Sequence, residues 1–168
     1  GRGMEVLKLY DTLSKQESEL EPLYKGQVRM YTCGPTVYRD AHIGNLRTYI
    51  MADWIKRVLL ADGYDVYHVK NITDVGHMRQ EMLEEGGDRV ILAALEEGKT
   101  PQEIAQFYAN AFYDDEAKLN ILPAQHYPWA TEHVPEMVAL VGRLMEKGFA
   151  YLVGGNIYFS VGRFQAYG

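Results

Sequence analysis

Between Met30 and Thr48 the sequence runs MYTCGPTVYRDAHIGNLRT, a segment holding the chain's single cysteine, a histidine, an asparagine and two glycines. His42 and Asn45 stand three apart, so at a helix start both can face one ligand and donate hydrogen bonds to phosphate oxygens as negative charge builds up. Gly44 has no side chain, and a purine ring or phosphate can approach its backbone. The N–H groups of a helix's first turn add the positive end of a dipole. The chemistry this favours is electrostatic stabilisation of an anion, not proton abstraction. Taken alone, a His-x-Gly-Asn string at a helix start is more often a capping turn than a catalytic motif, and spacing does not separate the two uses. Cys33 also reads two ways, as a small buried hydrophobe or as a thiolate ligand.

Neighbouring segments supply the elements that would position these residues. Val28 to Cys33 is β-rich and bounded by Gly26 and by Gly34-Pro35, which predicts a strand ending in a sharp turn. From Gly44 to about Ala61 the spacing predicts a helix with one face on a sheet, through Ile50, Trp54, Ile55, Val58 and Leu59, closed by Asp62-Gly63. Tyr64 to Val69 alternates, with Val66 and Val69 apolar, and leads into Asn71-Ile72-Thr73-Asp74. Strand, helix, strand is a βαβ unit, and a parallel sheet follows from it. Further helices are expected over Asp88 to Glu97, from the Thr100–Glu103 capping box to about Asn120, and from near Thr131 to Gly148. Tyr151 to Ser160, turning on Gly154-Gly155, reads as a β-hairpin.

The whole string resembles the first signature of class I aminoacyl-tRNA synthetases in its cysteinyl form. There a strand ends in Cys-Gly-x-Thr-Val-Tyr and is followed by His-Ile-Gly-His or His-Ile-Gly-Asn, then Arg-Thr. Cys33 to Tyr38, His42 to Asn45, Arg47 and Thr48 match it, and Asn71 to Asp74 match a second marker. Weaker similarity runs through Leu119 to Pro123, Ala130 to His133 and Lys147 to Tyr151. The resemblance implies an α/β fold, a Rossmann-like (HUP-type) parallel-sheet nucleotide-binding domain with a helical segment and a terminal β-hairpin. Residues 4–148 would form the first half of the catalytic domain, and 149–168 the start of its connective insertion.

The same resemblance implies roles for particular residues. His42 and Asn45 would be catalytic, and with Gly44 and Thr36 they would bind ATP, which enters with magnesium as a substrate. Cys33, Gly34, Thr36 and Thr73 would bind the substrate cysteine. Cys33 would also be one ligand of a zinc ion that takes the substrate thiolate directly, which favours sulfur over the hydroxyl of serine. A bare pocket separates such near-isosteres by only about 10- to 200-fold. The implied activity is ATP-dependent activation of cysteine and its ligation to tRNA(Cys).

Other features bound that reading. Seventeen Lys plus Arg against 23 Asp plus Glu give a formal charge of −6, the wrong sign for a domain whose main work is gripping a phosphate backbone. Most of any grip on RNA is expected elsewhere. No apolar run suggests a membrane span and no leader pattern is seen, so a cytoplasmic protein is expected. Gly1-Arg2-Gly3 ahead of Met4 reads as a cloning scar. The lysine-bearing KMSKS loop, the other zinc ligands and an anticodon-binding region have no counterpart in these 168 residues. The chain is therefore expected to be an incomplete N-terminal half, inactive alone. Two other readings fit the same motifs: a cysteine ligase of mycothiol biosynthesis, which joins cysteine to an amino-sugar pseudodisaccharide, and a stand-alone module that binds nucleotide or a partner. His77, His126 and His133 lack metal-ligand spacing and are expected to be surface or capping residues.

Overall fold

The computed structural model describes residues 7–75 and 95–167. His77 and most of the helix expected over Asp88 to Glu97 lie outside the described residues. The chain divides into two compact units, Gly1–Trp129 and Ala130–Gly168. Among the described residues no helix is long and apolar enough to cross a membrane.

The first unit is mixed α/β. β1 (Lys8–Asp11) and β2 (Gln16–Glu19) form an antiparallel hairpin that the sequence reading did not anticipate. Its strands carry almost no apolar alternation, and the turn is fixed locally by the Asp11 carboxylate, which accepts from the backbone N–H groups of Leu13 and Ser14. β3 (Gln27–Thr32) then pairs in parallel with β4 (Asp65–Lys70), from Gln27 opposite Asp65 to Thr32 opposite Lys70. The 19-residue helix α1 (Ile43–Ala61) makes the crossover between them. This is the βαβ unit that the alternation of periods implies, seen here as a two-stranded parallel sheet.

α1 does not bury the face that its apolar spacing suggests. Tyr49, Ala52, Asp53, Lys56 and Leu59 are buried, while Trp54 and Val58 are exposed. The reason lies in the irregular segment 120–125, whose backbone needs partners. Asp53 accepts from the Leu122 N–H at 2.8 Å, and Lys56 donates to the Pro123 carbonyl at 2.8 Å and to the Gln125 side chain at 3.3 Å. Polar side chains are drawn inward because they satisfy a neighbouring chain.

α2 (Pro101–Lys118) opens on the expected capping box, with Thr100 and Glu103 bonded to each other's backbone N–H groups. Its inner face, Ile104, Ala105, Tyr108, Ala109 and Phe112, forms the main core with Val37, Tyr49, Ile72 and Ile121. A second cluster of Val28, Leu59 and Val66 lies under the sheet. In β4 the inward residues are Val66, His68 and Lys70, so the strand presents two basic side chains to the interior and leaves Val69 only partly covered.

The buried His68 makes a pH prediction. Burial, with Lys70 and Lys56 nearby, lowers its pKa from 6.5 to about 4. Its Nε2 lies 2.8 Å from the Thr32 hydroxyl, and its Nδ1 has no hydrogen-bond partner. A base whose folded pKa is depressed stabilises the fold fully above its unfolded pKa, and that contribution is lost as pH falls through the folded value. Stability of this chain should therefore fall between pH 6.5 and 4 by about 2 to 3 kcal/mol from this residue. Urea unfolding of wild type and His68→Gln across that range measures it; the variant's curve should be the flatter of the two.

The second unit holds α3 (Val134–Glu146), preceded by a short 3-10 turn, and the expected hairpin of β5 (Ala150–Val153) and β6 (Asn156–Phe159). Gly154 and Gly155 both take positive φ at its turn, which explains the glycine pair. Phe149, Phe159, Phe164 and Tyr167 make a small aromatic cluster against it.

Candidate functional site

The residues singled out by type and spacing gather at the carboxyl ends of β3 and β4 and the amino end of α1. Cys33 follows the last residue of β3 and its thiol is exposed. Pro35, Thr36 and Val37 then run alongside the continuation of β4. Thr73 donates its N–H to the Pro35 carbonyl at 3.0 Å, its carbonyl accepts from Val37 at 3.0 Å, and Thr36 and Thr73 form a parallel bridge. The segment after the cysteine is thus held against the continuation of β4 instead of making the sharp turn expected at Gly34-Pro35, which brings Gly34, Thr36 and Thr73 together.

Gly34 is required by space. A Cβ built on it would overlap the carbonyl oxygen of Asn71 and crowd Lys70 Cγ at 3.1 Å, so no larger residue fits without moving backbone. Its N–H donates to Asn71 Oδ1 at 3.0 Å. The same Asn71 oxygen accepts from the Tyr31 hydroxyl at 3.0 Å, and Asn71 Nδ2 donates to Thr73 Oγ1 at 3.0 Å. One side chain ties three parts of the site. In the sequence Asn71 is one residue of the Asn71–Asp74 marker; what sets it apart is an amide just past a strand end, where three neighbours need different partners.

At the helix start, capping and ligand binding prove compatible. His42 is the N-cap of α1, and its Nδ1 accepts from Gly44 and Asn45 N–H at 3.1 and 3.4 Å. Asn45 Oδ1 accepts in return from the His42 N–H at 3.2 Å, closing a capping box. These bonds take up first-turn amides that the sequence reading left open for an anion. They also fix chemistry. With Nδ1 an acceptor, the ring proton sits on Nε2, and with Oδ1 an acceptor, Asn45 keeps both Nδ2 protons. The cap therefore orients two donors instead of consuming them. Gly44 favours it too: a Cβ there would meet His42 Cε1 and Nδ1 at 3.0 and 3.1 Å, so a larger residue would push the capping ring aside by a few tenths of an ångström.

Between loop and helix lies a cleft of about 90 Å³ lined by Gly34, Thr36, Tyr38, Arg39, Asn45 and Tyr49, among others. Gly34, Thr36 and Asn45 meet there, whereas Cys33, His42, Gly44 and Thr73 do not line it, and it is far smaller than the roughly 300 to 1,000 Å³ of ligand pockets in general. Among the described residues no three potential metal ligands cluster, so Cys33 offers a single thiol and does not by itself make a zinc site. His126 is exposed and His133 is the N-cap of α3 without a side-chain bond there.

Tyr49, which lines the cleft, also packs near a buried ionic pair. Lys70 Nζ bonds Glu116 Oε1, with both side chains almost wholly buried. The Lys70 ammonium also lies 5.1 Å from the Tyr49 ring centre and 5.7 Å from that of Phe112. Tyr127 donates to the other Glu116 oxygen at 3.0 Å.

Comparison with known proteins gives a consistent picture. Residues 19–168 match the family described as the tRNA synthetases class I (C) catalytic domain. The chain is 45% identical over 163 residues to a cysteine–tRNA ligase of Chlorobium chlorochromatii, covering 97% of this chain and 34% of that protein. It is 45% identical over 162 residues to one from Treponema denticola, covering 96% and 33%. A cysteine–tRNA ligase of the archaeon Methanococcus maripaludis is 42% identical over 163 residues, covering 97% and 32%. The chain spans about a third of the length of the curated relatives it matches.

Proposed function

The chain belongs to the class I (C) tRNA synthetase catalytic-domain family, and from that premise we propose that it is the N-terminal part of a cysteine–tRNA ligase. In this reading β3, α1 and β4 are the first βαβ unit of a Rossmann-like nucleotide-binding sheet, and ligands lie beyond the carboxyl ends of its strands. The activity is attack of the cysteine carboxylate on the α-phosphorus of ATP. A carboxylate oxygen–phosphorus bond forms and the bond to the pyrophosphate oxygen breaks; a terminal ribose hydroxyl of tRNA(Cys) then attacks the carbonyl, and AMP leaves.

No nucleophilic side chain is needed, because positioning and stabilisation of phosphate charge supply the catalysis. His42 Nε2–H and Asn45 Nδ2–H donate to the phosphate oxygens as their charge grows. Gly34, Thr36 and Thr73 line the amino-acid end. Cys33 would be one zinc ligand, the remainder coming from outside the described residues. A bound zinc would supply a preference for thiolate over hydroxyl at the substrate side chain.

The observation that carries the reading is the cleft itself, which sets Gly34 and Thr36 of the cysteine loop against Asn45 of the capped helix. It is tested in the full-length protein by cysteine-dependent exchange of pyrophosphate into ATP, with zinc content measured alongside. Cys33→Ser should lower bound zinc, weaken cysteine by about 10- to 200-fold and erode discrimination against serine. If Cys33→Ser keeps both its zinc and its cysteine KM, the thiol is only packing and the reading fails.

A further inference from the structure

We propose that Asn71 is a positioning residue that sets the Thr73 hydroxyl as a hydrogen-bond donor toward an acceptor atom of the bound amino acid. The inference rests on the amino-acid pocket proposed above. Its logic is a chain of obligatory roles. The Gly34 N–H can only donate, so the Asn71 atom 3.0 Å from it must be the oxygen. The other end of the amide is then Nδ2, which can only donate, and it reaches Thr73 Oγ1 at 3.0 Å. Thr73 therefore accepts from Asn71, and its single proton is not spent on that bond. Tyr31, donating to the same Asn71 oxygen, reinforces the orientation.

The N–H and carbonyl of Thr73 are both bonded to the neighbouring Pro35–Val37 segment, which fixes the backbone that carries the hydroxyl. An asparagine here thus does what an isosteric aspartate cannot. With Asn71→Asp one oxygen still accepts from Gly34 and Tyr31, but the other now needs a proton from Thr73, and the hydroxyl turns inward. Shape is kept while polarity is reversed.

The test uses the full-length protein and steady-state pyrophosphate exchange. Asn71→Asp should raise the cysteine KM by about 10- to 100-fold, the worth of one hydrogen bond to a charged group. The ATP KM and the thermal midpoint should change little, which a merely structural role would not allow. Thr73→Val should give a similar rise, and the double variant should be no worse than either alone. Additive effects would mean that the new carboxylate only repels substrate, and would overturn the proposal. An unchanged cysteine KM in Asn71→Asp beside a raised one in Thr73→Val would also overturn it while leaving the proposed function standing. If Thr73→Val and Cys33→Ser both leave the cysteine KM unchanged, the pocket itself is misplaced. Should Asn71→Asp not fold, a crystal structure of the wild type with cysteine decides. Thr73 Oγ1 within about 3.2 Å of a carboxylate oxygen or the sulfur supports the proposal, and contact with the ammonium alone, or with no substrate atom, overturns it.

Discussion

His42→Ala in the full-length protein is expected to slow adenylate formation by about 100- to 1,000-fold, the usual loss when one transition-state donor is removed. Cysteine and ATP affinities should barely move, since in the proposed role the Nε2–H bond would strengthen only as phosphate charge develops. The same substitution also removes the N-cap, whose Nδ1 holds the Gly44 and Asn45 amides, at a cost of about 1 kcal/mol in stability. His42→Asn separates the two roles. Asparagine is among the best N-cap residues, so stability should be kept, but its short side chain cannot cap and also reach a phosphate. Single-turnover adenylate formation and thermal midpoints on both variants check this. A His42→Asn protein as fast as the wild type would mean that the histidine only caps.

Glu116→Gln is expected to destabilise this chain by about 3 to 5 kcal/mol, because it leaves the Lys70 ammonium buried without its counter-charge. Lys70 is fully buried at the end of β4, and its remaining neighbours Tyr49 and Phe112 offer ring faces that compensate only partly. Tyr127, whose hydroxyl burial drives well above the ordinary range, would still hold a donor for the new amide. Replacing both partners together, as Lys70→Met with Glu116→Leu, should recover most of the loss, since a well-packed apolar pair avoids two desolvation costs. Urea unfolding of the two single variants and the double variant gives the coupling directly. A Glu116→Gln change of less than about 1 kcal/mol would show that water reaches the pair in solution. The pair matters to the site because Lys70 immediately precedes Asn71 and its Cγ packs where a Gly34 side chain would lie.

What was legible in the sequence is what is decided locally. The capping string His42 to Asn45 and the Thr100–Glu103 box each depend on a few adjacent residues and their side-chain acceptors, with no distant partner. The βαβ order follows from periodicity, and so does the terminal hairpin from its two glycines. What tertiary structure alone decided is the fate of polar groups. Asp53, Lys56, His68, Lys70 and Glu116 carry the pattern of solvated residues in their own elements, yet all five are buried. Each is drawn in by a partner far along the chain, the 120–125 backbone for Asp53 and Lys56, Thr32 for His68, and one another for Lys70 and Glu116. Helix and strand periods report hydrophobicity within one element and contain no term for a hydrogen bond to another. For the same reason Asn71 could be seen in the sequence only as an amide beside a strand. Its meaning came from Gly34, 37 residues earlier, whose N–H can only donate and so fixes which way the amide and then Thr73 must point.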